Sequence, residues 1–157
     1  MENVVNNIDE TIVSEINHEI KLDEIQKVVV GAVIFFNKDV LLLERTPEEF
    51  KGGLVELPSG GVDQGETIFE GLIREIKEET DLDAESIDRY VGFFDYTSGS
   101  GKKTRQLNFI VSVKKGSVSI NPAEHSAYYA IEPGTDTFNH LNISEKTKNI
   151  IMGSIAT

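Results

Sequence analysis

Glu66, Arg74, Glu75, Glu78 and Glu79 stand in the run Gly60-Gly-Val-Asp-Gln-Gly-Glu66-Thr-Ile-Phe-Glu-Gly-Leu-Ile-Arg74-Glu75-Ile-Lys-Glu78-Glu79-Thr-Asp-Leu82. A glycine-rich turn leads into a short segment that crowds carboxylates onto one side. Like charges at adjacent helical positions repel, and acids at a helix C-terminus oppose the macrodipole. A chain that accepts both costs is suited to binding a cation. Several hard oxygen donors close together are what Mg²⁺ or Mn²⁺ requires.

The segment that positions these acids reads as a helix. Thr67, with Glu70 three residues later, forms a capping-box pattern that starts the helix near Ile68. Ile68, Leu72 and Ile76, joined by Phe69 and Ile73, recur at helical spacing and make the buried stripe. At roughly 100° per residue, Glu75, Glu78 and Glu79 fall within an arc of about 100° beside that stripe. Gly71 lies on the same side one turn earlier. A mid-helix glycine costs about 1 kcal/mol relative to alanine, and its missing side chain leaves room for the Gly60–Gly65 loop to fold over the carboxylates. An isolated Glu-x-x-Glu-Glu is ordinarily a solvated face; the glycine loop, the spaced Glu66 and the apolar stripe argue otherwise here. A calcium EF-hand beginning at Asp81 is excluded, because Ser86 and Gly92 stand where glycine and glutamate are needed.

The run resembles the signature of the Nudix hydrolase family: Gly, five residues, Glu, seven residues, Arg-Glu-aliphatic-x-Glu-Glu-x-Gly-aliphatic. Gly60, Glu66, Arg74, Glu75, Ile76, Glu78, Glu79 and Leu82 match in register. Asp81 departs from it, standing where the family has a helix-ending glycine; Asp tolerates the left-handed conformation better than most residues. Ser59 and Val55 also replace the usual glycine and tryptophan upstream. The resemblance implies a divalent-metal hydrolase that cleaves a diphosphate linkage in a nucleoside diphosphate joined to another group. It implies Glu75, Glu78 and Glu79 as principal ligands of Mg²⁺, with Mn²⁺ as substitute, helped by Gly60 and Glu66. Arg74 would orient a carboxylate of the run. The general base would be Glu75, or Glu124 in the segment Pro122-Ala-Glu124-His125.

Composition sets the outer limits. With 15 Lys and Arg against 27 Asp and Glu, the net charge of −12 argues against nucleic-acid polymers, whose binding rests on cations that neutralise phosphates. A small nucleotide carried in with a metal remains compatible. Zero cysteines exclude disulfides, thiol catalysis and cysteine-based zinc sites. No stretch is long and apolar enough to span a membrane, and an acidic N-terminus unlike a signal peptide points to the cytoplasm.

Two parts are expected along the 157 residues: an N-terminal helical extension over 1–25 and a Nudix hydrolase domain over 26–157. Ile8, Ile12, Ile16 and Ile20 recur every four residues, a stripe able to pack on the domain or on a second copy of the chain in a homodimer. From Gln26 the pattern turns to strands. Val28–Phe36, a turn at Asn37-Lys38-Asp39 and Val40–Leu43 predict a hairpin; Leu54–Leu57 is a short strand stopped by Pro58. Tyr90–Thr97 and Thr104–Val113 predict a second hairpin around Ser98–Gly101, followed by a strand over Ala127–Ile131 and a helix over Ser144–Ile155 capped by Ser144. The fold class is α/β, with a mixed β-sheet; the resemblance makes it the Nudix-type α/β/α sandwich.

Contacts to a phosphorylated substrate must come from outside the acidic run. Arg45 ends a strand in Leu-Leu-Glu-Arg, similar to the family's phosphate-facing arginine, and Arg105 clusters with Lys102 and Lys103 beside a hairpin. Phe93, Phe94 and Tyr96 can stack a base or fill a core; His18 and His140 read as surface residues. Among substrates the short chain favours a nucleoside triphosphate, as in MutT-like enzymes. The alternatives are an ADP-ribose or nucleotide-sugar pyrophosphatase, and a non-catalytic nucleotide-binding regulator of the same fold. The last conflicts with the survival of every acid in the run.

Overall fold

The N-terminal residues add to the domain's own sheet. In the computed structural model, which describes residues 3–155, β1 (Val5–Asn6) pairs in parallel with Ser86 and Ile87. α1 (Glu10–Leu22) follows, its N-terminus capped by Asp9, which accepts from the Thr11 N–H at 2.8 Å. Ile16 is buried, and Ile8, Ile12 and Ile20 pack against the same apolar cluster as Val30, Leu72 and Phe109. The isoleucine stripe therefore rests on the domain itself.

The apolar run after Gln26 divides between two sheets. β2 (Lys27–Val33) pairs in parallel with Thr104–Ile110, whereas β3 (Phe35–Phe36) pairs with the start of β4 (Asp39–Arg45). The predicted hairpin is thus confined to β3 and β4. A continuous apolar run carries no alternation that would mark a change of sheet, so the switch at Ile34 left no trace in the sequence.

β5 (Val55–Glu56) pairs with β4, and β6 (Ser59–Gly61) pairs antiparallel with β2 through Val29↔Gly61 and Gly31↔Ser59. α2 (Ile68–Thr80) then crosses the sheet, and β7 (Ala84–Thr97) and β8 (Lys103–Val113) form the expected hairpin, with β7 beginning at Ala84 rather than Tyr90. The first sheet runs β1-β7-β8-β2-β6 and is mixed. In the second, β9 (His125–Ile131) lies along one edge of β4 while β3 and β5 share the other. α3 (Asp136–His140) and α4 (Glu145–Ile155) complete the chain, and the Ser144 hydroxyl accepts from the Thr147 N–H at the start of α4.

Two apolar clusters make the expected α/β/α sandwich. One places Ile16 of α1 and Leu72 and Ile76 of α2 against the first sheet; the other places Phe138 and Ile151, from α3 and α4, against Val33, Leu42 and Val55. Leu72 and Ile76 are 1% exposed, and burying each stabilises the helix position by about 1.5–3 kcal/mol. At the other end of α2, Asp81 takes φ 63° and ψ 12°, the left-handed turn for which glycine is usual. Lys77 lies 3.3 Å from its carboxylate.

Ile16→Ala is expected to lower stability by about 2–4 kcal/mol in urea denaturation of the full chain, because it opens a cavity beneath the sheet. Leu22→Ala, on the same helix but at a side chain 69% exposed, should stay within about 0.5 kcal/mol.

Candidate metal and phosphate site

The glycine turn and α2 are held together by close approach. Pairing with β2 brings Ser59–Gly61 alongside the helix, and a Cβ on Gly60 would overlap the Glu75 carboxylate. One turn earlier, a Cβ on Gly71 would meet Val62 Cγ2 at 3.2 Å and Glu66 Oε1 at 3.3 Å. Both glycines leave space where the loop crosses the helix, as expected for Gly71. The capping box at Thr67 and Glu70 is complete, which fixes the helix start relative to the loop.

Arg74 bridges the two segments. Its Nε and Nη2 donate to both oxygens of Glu66 at 2.8 and 2.9 Å, and Nη2 also donates to the Gly61 carbonyl at 2.9 Å. Nη1 donates to Glu75 at 2.7 Å and Glu78 at 3.1 Å. Two carboxylates that share one nitrogen must lie side by side, although Glu78 remains 57% exposed. The Arg74 hydrogen bonds, with the Asp63 N–H, pull the Glu66 carboxyl down to about 2, so it stays ionised.

On the inner side of α2, Glu79 lacks such compensation. Glu79 is 5% exposed, accepts from the Ser59 N–H at 2.8 Å, and faces Glu56, Glu75 and Glu124. Burial first, then these charges, push its carboxyl up to about 9. Burial also raises the Glu75 carboxyl, with Glu78 and Glu124 adding to the effect against the Arg74 bonds. The opposite wall comes from the second sheet. Arg45 and His125 are register partners across β4 and β9, and the Thr46 N–H donates to the Glu124 carbonyl at 3.0 Å, holding that turn beside the helix. Arg45 and His125 both contact Glu56, each at 3.0 Å. Glu79, Glu124 and His125 each bring one ligand atom to within 4.8 Å of the others.

This acidic cleft opens into a cavity of about 600 Å³, and Arg45, Glu56, Ser59, Gly60 and Gly61 line both. Beyond them the cavity walls carry Phe50, Phe94 and Tyr96, with Lys27, Lys51 and Lys146 as cations. Strand alternation decides which residues reach it. Phe94 and Tyr96 face in, whereas Phe93 lies under the Arg105 guanidinium at 4.0 Å. Gln106 lines the cavity, and its neighbour Arg105 is 3% exposed, bound bidentately to Asp95 at 2.7 and 2.8 Å and to Asp23 at 2.9 Å. The expected phosphate role for Arg105 thus meets a side chain that faces away from the cavity and pairs with two acids. Lys103 donates to the Asp23 carbonyl instead of reaching the cavity, His18 is exposed, and His140 bonds the Asp136 carbonyl.

Sequence reasoning passed over Glu56, His125 as a cleft residue, Phe50, Lys51 and Lys146. Only Glu56 left a signal, as the one charged residue in the short apolar strand before Pro58.

The donors fit a divalent cation. They are hard oxygens on a rigid helix and a backbone turn, they crowd like charges in a partly dry cleft, and the Gly60 Cβ space is filled by a carboxylate. The side chains of Glu75 and Glu79, which line the cleft, can hold it, with Glu78 beside Glu75 on Arg74 and Glu124 at the rim.

A family model described as NUDIX domain matches residues 25–142. Nudix hydrolase 2 of Arabidopsis thaliana is 37% identical over 100 residues, 62% of this chain and 35% of that protein. The ADP-ribose pyrophosphatase of Methanocaldococcus jannaschii is 46% identical over 55 residues, 35% of this chain and 32% of that protein. These matches span about a third of the length of either relative. A MutT protein structure from Methanosarcina mazei Go1 superposes with a TM-score of 0.70 at 23% identity, covering 80% of this chain and 90% of that one, which is a likeness of fold.

Glu79 gives the cleft a pH signature. Its carboxyl is neutral more readily in the folded than in the unfolded chain, so the stability this provides is fully present below about 4.5 and is lost as pH rises toward about 9. Glu79→Gln keeps an acceptor for the Ser59 N–H and removes that loss. With chelator present, the variant should melt several degrees above the parent at pH 8, at about 2–4 °C per kcal/mol, and nearly level with it at pH 5. Calorimetric scans at the two pH values check this.

Proposed function

Because the chain belongs to the Nudix family, we propose that it hydrolyses a diphosphate linkage in a nucleoside diphosphate derivative, using Mg²⁺ or Mn²⁺, and that a nucleoside triphosphate is its substrate. The observation that carries this reading is the continuity of the two cavities. Phosphates placed at the acidic cleft would leave the base beside Phe50, Phe94 and Tyr96, with Lys51 between.

A bound divalent ion neutralises polyphosphate charge, orients the phosphoryl group and lowers the pKa of a water. The ligands in this reading are Glu75, Glu78, Glu79 and the Gly60 carbonyl. Glu66 acts through Arg74, because both its oxygens are taken by the guanidinium. Arg74 sets the direction of Glu75 and Glu78. Arg45, at the junction of the two cavities and paired to Glu56, presents its charge to phosphate. Glu124, exposed at the cleft mouth beside Glu79, takes the proton from the attacking water, and turnover rises toward alkaline pH. A second reading, ADP-ribose hydrolysis, is favoured by the name of the Methanocaldococcus jannaschii relative. The products separate them: a nucleoside monophosphate with pyrophosphate, or AMP with ribose 5-phosphate.

The test is a panel of nucleoside triphosphates, ADP-ribose, nucleotide sugars and dinucleotides, assayed with Mg²⁺ or Mn²⁺ and with products identified. Hydrolysis that survives chelation on every good substrate would overturn the reading of the acidic helix. Glu78→Gln should lower turnover by several orders of magnitude while the chain stays folded, since Gln removes the anion but keeps the shape. Glu124→Gln should lose turnover with metal affinity intact; a small loss returns the base to Glu75. Tyr96→Ala should raise KM roughly 5- to 150-fold with kcat little changed, the equivalent of about 1–3 kcal/mol of base stacking.

A further inference from the structure

His125 stands in the cleft for a reason its own hydrogen bonding does not supply. The ring is 2% exposed, at the first position of β9, and the turn before it is fixed by the His125 N–H donating to the Asn121 carbonyl at 2.9 Å. Nε2 lies 3.0 Å from Glu56 Oε2. A carboxylate only accepts, so Nε2 carries the proton and a neutral ring leaves Nδ1 as a bare lone pair. That atom is buried and without a partner. Leaving a buried acceptor unmatched is costly, because the atom has given up its water for nothing. The carboxylate that fixes the tautomer is itself braced, since the Arg45 Nε lies 3.0 Å from the same Glu56 oxygen. A histidine with one ring nitrogen donating to a carboxylate and the other left free is the arrangement of a metal ligand. Here the other donors are the carboxylates of Glu79 and Glu124, one atom of each residue lying within 4.8 Å of the others.

We propose that His125 contributes a nitrogen ligand to the cation held by Glu79, with Glu124 beside it, so that the site selects first-row transition ions over Mg²⁺. The proposal rests on the metal reading of the cleft given above. Mg²⁺ takes oxygen donors in a strict octahedron and keeps its water, whereas imidazole suits transition ions with an affinity that rises from Mn²⁺ to Co²⁺. Glu56 then acts behind His125, fixing the ring's orientation and tautomer, which accounts for an acid at 13% side-chain exposure in β5.

The decisive measurement is pulsed electron paramagnetic resonance on the full chain loaded with Mn²⁺ alone, without nucleotide. Nitrogen-14 modulation from a directly bound imidazole is expected, and it requires no variant to fold. Titration calorimetry with Mg²⁺ and with Co²⁺ follows for the parent and for His125→Gln. The variant should lose at least about tenfold in Co²⁺ affinity and change Mg²⁺ affinity by less than about twofold. Mn²⁺ that binds with no nitrogen modulation would overturn this inference and leave the metal reading of the cleft standing. Equal losses for the two ions would do the same. Failure of the parent chain to bind any of the three ions would overturn both.

Discussion

The guanidinium of Arg74 ties the glycine turn to the helix that follows it, and the geometry of the cleft depends on that tie. Its planar fork reaches Glu66 and the Gly61 carbonyl in the loop, and Glu75 and Glu78 on the helix. Lysine could not do this, because a single ammonium lacks donors in fixed, divergent directions. The charge also offsets part of the repulsion among the acids it orients. Close packing of Gly60 on Glu75 and of Gly71 beneath Val62 is possible only with the loop held down in this way.

Two buried ionisable side chains show how differently this chain treats structure and site. Arg105 is 3% exposed and its charge is paired with Asp95 and Asp23 through Nε and Nη2, with an aromatic ring beneath it; burial without that pairing would be strongly destabilising. Glu79 is 5% exposed and faces three more carboxylates with one backbone N–H in compensation. The chain gives Arg105 two counter-charges and gives Glu79 none but a backbone N–H. Local frustration of this kind, set in an otherwise consistent fold, is expected where a ligand completes the balance.

Arg105 also explains why α1 belongs with the sheet. Asp23, the residue that ends α1, takes its guanidinium, and the Asp23 carbonyl takes Lys103, so the helix is anchored at its C-terminus to β8. Ile16 anchors its middle, and β1 extends the sheet edge before it. Among the described residues no helix is long and apolar enough to cross a membrane.

Local sequence determined what depends on residues near one another in the chain. The capping box, the apolar stripe of α2, the left-handed Asp81, the Ser144 cap and the hairpin around Ser98–Gly101 are set by neighbours a few residues apart, and each was legible. The acidic run was legible for the same reason: a helix converts spacing into direction. The tertiary structure alone decided the rest. Whether Val28–Phe36 stays in one sheet depends on partners 77 residues distant. Arg105 and Phe93 turn from the cavity because strand register sets their face, and register is fixed by pairing between strands of the sheet rather than by composition. Glu56 and His125 meet because β5 and β9 flank the same strand, a juxtaposition that a separation of 69 residues in the chain cannot announce.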